Sequence, residues 1–226
     1  MRLWKLIKGD IEFQVRYGFY FVYAVFTIFY ILLLFSLPEV AREKAATLLI
    51  YTDPAAMGLF FMGAIVLLEK SQRVLNSIAV SPVKASEYII SKVLSLGIIA
   101  TLVGVIIALI TGIGNITGVA VGTFLGSIVF SLFGLMVAAK ISSLNQFMIA
   151  TVPFELLCFI PPVALIFGYQ NSLMLLHPGC IVIQIFEGSE VELYSLIILF
   201  GWIGIIYWFT YYIVKKMFQS VGGVKL

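Results

Sequence analysis

Two carboxylates, Asp53 and Glu155, lie deep inside long apolar runs of the sequence. An ionisable group in such a run is costly to bury and marks a functional site by default. Glu155 falls about seven residues into its run, so the alternative is a place near the membrane rim, hydrogen-bonded to the neighbouring helices. The two carboxylates lie far apart in the expected topology, which gives little support to a carrier that moves protons between them. His177 is the one histidine and precedes Pro178-Gly179, a turn signal. With no second histidine, a metal site is not expected. Cys158 and Cys180 sit in apolar surroundings without metal-ligand spacing and read as structural thiols. A disulfide between them would need an extracytoplasmic setting. The phosphate-binding G-x-x-x-x-G-K-[ST] loop, the G-x-S-x-G elbow and the H-E-x-x-H helix are all missing from the sequence. No catalytic residue is expected, and energy for any pumping must come from another polypeptide.

The elements that carry these residues belong in a membrane. Of 226 residues, 62% are hydrophobic and 11% charged, against about 25% charged in soluble domains. The mean hydropathy is +1.12. A net charge of +3 is too small to suggest nucleic acid as a partner. A spanning helix needs about 20 apolar residues. Between Arg16 and Glu39 lie 22 uncharged residues, the first span; they begin too far into the chain, and run too long, for a cleaved leader. Between Lys44 and Glu69 lie 24, interrupted by Asp53, the second span. There Asp53-Pro54 is expected to cap a short helix ending at Leu68; the alternative is a longer helix kinked at Pro54. Between Lys92 and Lys140 lie 47 uncharged residues, two spans joined by a turn at Gly112, Gly114, Asn115 and Gly118. A fifth span is expected from Met148 to Phe167, kinked or ended by Pro161-Pro162. An apolar stretch from Leu173 to Phe186 then dips into the membrane or lies on it, and residues 193–214 make the sixth span. With the amino terminus inside, cytoplasmic segments hold 12 lysines and arginines and external ones 2, Arg42 and Lys44. The positive-inside rule therefore puts both termini in the cytoplasm.

Three stretches do more than span. In residues 1–16, Leu3, Ile7 and Ile11 recur every four positions beside Trp4, with Lys5 and Lys8 largely elsewhere. This suits a helix lying in the interface on anionic lipid; the plainer reading is a positive flank that orients the first span. In Glu69–Pro82, Leu75, Ile78 and Ala79 keep helical spacing while Glu69, Lys70, Gln72, Arg73 and Asn76 form a polar face. Pro82 disfavours helix at Ser81, and the pair is expected to start the next helix as N-cap and first residue. The product is a short amphipathic helix that needs lipid or a partner protein; the alternative is a solvated loop. Gly118, Gly122 and Gly126 stand four apart, with Gly134 and Ala138 continuing the stripe. Such a stripe permits close helix approach within or between subunits.

The stretch Glu69–Lys92 resembles the region after the second span in ABC-2 type permeases, the membrane subunits of bacterial ABC exporters. The matching residues are Glu69, Lys70, Leu75, Ser81-Pro82, Glu87-Tyr88 and Lys92. Arg73 stands where that family often has glycine, and Asn76 where it often has a carboxylate. These departures bear on the contacts of the helix and not on its placement. The runs beginning at Asp53 and Val66 resemble the fluoroquinolone-export-permease branch. The resemblance implies an all-α membrane protein forming one transmembrane domain, residues 1–226. Its parts would be an amphipathic elbow helix (1–16), six transmembrane helices, a cytoplasmic coupling helix (69–81) and an apolar external or re-entrant segment (168–192) before the last span. The coupling helix would dock on a separate ATP-binding subunit, with Glu69, Lys70 and Arg73 at the rim and Leu75 and Ile78 as buried anchors. ATP and magnesium would bind that partner, and this chain would bind no cofactor. A second copy or a related permease would complete the pathway in the bacterial plasma membrane. The competing readings are a self-sufficient channel or ion-coupled carrier using Glu155, and a non-transporting membrane scaffold.

Overall fold

A computed structural model describes residues 2–112, 115–169, 171–188 and 193–221. Among these residues every regular element is helical. The chain runs α1 (Arg2–Arg16), α2 (Phe19–Ser36), α3 (Glu39–Ile50), a π-turn (Tyr51–Ala55), α4 (Met57–Ser71), α5 (Val74–Val80), α6 (Ala85–Thr111), α7 (Ile116–Lys140), α8 (Leu144–Ile166), a short 3-10 turn (Ser172–Leu176), α9 (Pro178–Glu187) and α10 (Leu193–Val221). Six segments are long and apolar enough to cross a bilayer: α2, the α3–α4 rod, α6, α7, α8 and α10.

Burial divides these six into two groups. The spans of α3–α4, α6 and α7 are 56–72% buried, whereas those of α2, α8 and α10 are 17–22% buried. The first group is therefore the core, and the second presents apolar faces such as Phe21, Ile28, Leu156 and Trp208 outward. Glycine makes the core possible. A Cβ on Gly134 would meet the Leu59 backbone of α4, one on Gly118 the Ile185 carbonyl of α9, and one on Gly122 the Phe186 ring. Gly126 abuts Ala55 of the π-turn and Val182 of α9. The small-residue stripe of α7 thus serves packing within the chain.

Asp53-Pro54 does not start a new helix. The backbone runs on through a π-turn with helical dihedrals at Ile50, Tyr51 and Ala56, and α3 and α4 form one broken rod. Proline lacks the N–H an α-turn would use, and a π-turn absorbs the mismatch. The fifth span begins at Leu144, earlier than expected, because the Ser143 hydroxyl caps it by accepting from the Gln146 N–H (3.4 Å). It also continues past Pro161-Pro162 to Ile166, where Pro162 packs beside Gly179 of α9. Glu155 consequently stands near the middle of α8, half-buried, with Oε1 unpartnered.

The stretch before the last span packs into the bundle. α9 buries Pro178, Gly179, Cys180, Ile181, Val182 and Ile183, mainly against α7 and α8. His177 caps it: its Nδ1 accepts from the Gly179 N–H (3.2 Å), while Nε2 is 3.0 Å from the Leu157 carbonyl. The proton therefore sits on Nε2. Cys158 and Cys180 are buried free thiols. Gly114 of the expected turn and Lys225, one of the twelve expected cytoplasmic cations, lie outside the described residues, as does part of the 168–192 segment.

Candidate functional site

At one end of the bundle α1, the last turn of α4, α5 and the first turns of α6 converge. Their meeting point is a buried ion cluster. The Lys92 ammonium lies 2.6 Å from Glu69 Oε1 and 2.7 Å from Asp10 Oδ1. The Tyr88 hydroxyl donates to Glu69 Oε2 (2.7 Å), and Lys92 sits over the Tyr88 ring, 4.9 Å from its centroid. Lys92 and Glu69 are 2% and 3% exposed. One cation shared by two carboxylates, with a donated hydroxyl, offsets most of the cost of burying them, though the cluster keeps one negative charge and Asp10 Oδ2 has no partner. The Tyr88 ring is in turn met edge-on by Phe218 of α10 at 5.2 Å. Lys92 ties α1, α4 and α6 together, and the Tyr88 ring adds α10.

α1 is bound along its length. Leu3, Ile7, Asp10 and Gln14 recur at one-turn spacing on its inner face, and the Gln14 amide donates to Ser95 of α6 (2.8 Å). Arg2 donates to the Pro82 carbonyl (2.8 Å) and pairs with Glu87 at 3.7 Å. Ile11 is half-buried. Trp4, Lys5 and Lys8 point away from α6 and are exposed, Trp4 by 70%.

The expected coupling helix is shorter than its motif. Glu69 and Lys70 belong to α4, the chain turns at Gln72-Arg73, and α5 begins at Val74. Arg73 adopts φ 58°, the one left-handed non-glycine residue among those described. That conformation is the physical reason glycine suits this position. Two expected rim residues face inward. Glu69 is held in the ion cluster. Lys70 donates to the carbonyls of Ala138 (2.7 Å), Ala139 (3.0 Å) and Ile141 (2.7 Å), closing the C-terminus of α7. Leu75 is fully buried within the chain and Ile78 half-buried against its core, so neither is a free anchor. The exposed side of α5 is Arg73, Asn76, Ser77 and Val80, continued by Pro82. Ser81-Pro82 also does not cap α6. The Ser81 hydroxyl donates to the Ile78 carbonyl (2.6 Å) and accepts from Val83 (3.3 Å), ending α5. α6 starts one turn later at Ala85, because the Glu87 carboxylate accepts the Lys84 N–H (2.9 Å).

A family model described as the fluoroquinolones export permease protein family matches residues 1–220. The chain belongs to that family. Proteins of Mycobacterium tuberculosis, strains CDC 1551 / Oshkosh and ATCC 25618 / H37Rv, each named a fluoroquinolones export permease protein, are 27% identical over 180 residues. The match covers 78% of this chain and 76% of each relative. Membership makes the chain a multi-pass membrane transport protein.

Within this permease the ion cluster escaped the sequence reading. Glu69 and Lys92 bound the motif, but nothing in their order says that they pair. Asp10 carried a signal: it shares a helical face with Leu3, Ile7 and Gln14, an odd place for a solvated carboxylate. Among the described residues no group of three histidines, cysteines or carboxylates could hold a metal.

Proposed function

We propose that the chain is the membrane-spanning subunit of an ABC-type exporter, forming half of a translocation pathway and driven by a separate ATP-binding subunit. The observation that carries this reading is α5. A seven-residue helix projects from the end of the bundle with Arg73, Asn76, Ser77 and Val80 outward, Val80 by 76%. Its inner side is anchored by Leu75 on α4 and α10. A push on this helix reaches α4 and α10 directly, and the Lys92 cluster passes it from α4 to α6 and α1. Coupling needs an element whose position both sites can bias, and α5 fits that description. The excess of positive charge supports a bacterial cytoplasmic location for α5 and both termini, on the side where an ATPase would bind its ATP and magnesium. Exposed Trp4, Lys5 and Lys8 suit anionic lipid at the same surface. The sparsely buried faces of α2, α8 and α10 leave room for lipid and for a second copy or related permease. The relatives' name makes fluoroquinolones the first cargo to test.

The test is copurification with a co-expressed ATP-binding-cassette subunit from the same genome. Asn76→Asp with Val80→Asp should leave membrane insertion intact and abolish the pairing. Full retention of the ATPase by that double variant refutes docking through α5. One observation favours a second reading: Glu155 lies mid-helix with an unpartnered oxygen. Under an ion-coupled carrier, the purified chain in liposomes moves cargo without ATPase, and Glu155→Gln stops it.

A further inference from the structure

A carboxyl group stands at the middle of the α3–α4 rod without a counter-charge. Asp53 is 8% exposed, and its Oδ2 makes no hydrogen bond. It takes part in none of the ion pairs among the described residues. Along its own rod the nearest charged residues are Lys44 and Glu69, more than two helical turns away on either side. From α2, Tyr30 lies beside the carboxyl, and Tyr23 is close, 1% exposed, its hydroxyl unpartnered. α6 and α7 pack on the same turn, and the sequence carries no charge between Lys92 and Lys140. α4 brings none before Glu69. α8 reaches the turn where the Tyr51 hydroxyl donates to the Cys158 carbonyl (2.8 Å), and its one charged residue is Glu155.

The neighbours of the carboxyl are tyrosine hydroxyls, polar without being charged. Elsewhere in the core α7 sets Thr123 against Gly104 of α6 and Ser127 and Ser131 against Gly58 of α4, all fully buried, with none of the three hydroxyls hydrogen-bonded. Helical threonines elsewhere in the chain bond the carbonyl one turn back, as Thr27, Thr52, Thr101, Thr111 and Thr210 do. A carboxylate ion held here would have the Tyr30 hydroxyl as a donor but no cation to offset its desolvation. A carboxylic acid avoids that cost.

We propose that Asp53 is a proton-binding site in the middle of the membrane span, loaded while α2 is closed on the π-turn and exchanged with water when α2 moves away. α2 is suited to such movement. Of its eighteen residues only Tyr23, Thr27 and Leu34 are buried; it packs chiefly on α6 and touches α4 through edge contacts of Phe19 and Tyr23 with Phe61, at 5.0 and 4.8 Å. On release the carboxyl O–H bond breaks, its electron pair stays on the oxygen, and water takes the proton as hydronium; uptake is the reverse. No other reactant is needed. The site is independent of docking through α5, and it is read without the ATPase, so either proposal can fail by itself.

The chain contains two aspartates, Asp10 and Asp53, and Asp10 is held against Lys92. Purified full-length protein with carboxyl-13C aspartate, reconstituted in liposomes, therefore gives two labelled carboxyl bands in the infrared. At neutral pH one should be a neutral acid and the other a carboxylate. The acid band should vanish in Asp53→Asn, persist in Asp10→Asn and Glu155→Gln, and shift in Tyr30→Phe. If Asp53→Asn does not fold, the Asp10→Asn and Tyr30→Phe spectra still decide the assignment. Two carboxylate bands at neutral pH would overturn the proposal. An acid band that stays unshifted after prolonged exposure to D2O would overturn its exchange with water.

Discussion

Lys92 sits where four helices meet, and its role follows from what its removal would leave behind. Lys92→Met leaves Glu69, buried, and Asp10, half-buried, side by side without a cation. Breaking a buried pair by deleting one partner costs about 3–5 kcal/mol. Thermal unfolding in detergent should show a loss of that order, largely restored when Asp10→Asn and Glu69→Gln are added. An unchanged melting temperature would mean that water already reaches the cluster. His177 gives a second residue-scale prediction. Burial pushes its imidazole below the ordinary value of 6.5, opposed by the bond to Leu157. The fold thus favours the neutral ring, whose Nδ1 can accept from Gly179. Because the folded value is the lower one, this stabilisation is complete above pH 6.5 and is lost as pH falls through the folded value. Hydrogen exchange at the amides of Gly179 and Cys180 should speed up on acidification in the wild type, and His177→Asn, which still caps but does not titrate, should remove the dependence.

At the scale of elements, α7 is the post around which the others are set, and its glycines decide how close they come. Gly134→Ala would put a methyl group onto the Leu59 backbone, which cannot swing aside as a side chain can. Overpacking of this kind costs roughly 1–3 kcal/mol. The variant should melt earlier, with the lost protection concentrated in α4 and α7; protection lost evenly along the chain would count against this contact as the cause. Spacing in the sequence was enough to mark this stripe, because four-residue repeats of glycine can only be one face of a helix. It was not enough for the Glu69–Pro82 stretch. The polar and apolar positions there fitted one helix of about three turns, yet the left-handed Arg73 splits them between α4 and α5. Periodicity assigns residues to a face; it does not report a break where each half keeps the period.

Across the whole molecule, the distribution of lysine and arginine fixes an expected sidedness that a labelling experiment can check. The native thiols of Cys158 and Cys180 are buried, so a cysteine placed at an exposed site dominates reaction with an impermeant reagent. Val80→Cys should react in inverted vesicles and Leu173→Cys in intact cells; reaction of both from the same side would end the proposed topology. The sequence by itself determined that the chain is helical, that it crosses a bilayer six times and where nearly every crossing lies. Those features are summed over tens of residues, and no single contact can overturn twenty apolar side chains in a row. Only the tertiary structure decided which charges face each other, that Glu69, Lys70 and Leu75 point into the chain, and that α9 is buried in the bundle. These facts depend on the rotation of each helix about its axis and on contacts between residues far apart in sequence, such as Asp10 and Lys92, 82 positions apart, and Tyr51 and Cys158, 107 apart. An all-apolar helix gives no sequence signal for that rotation, because every face of it is equally content in lipid.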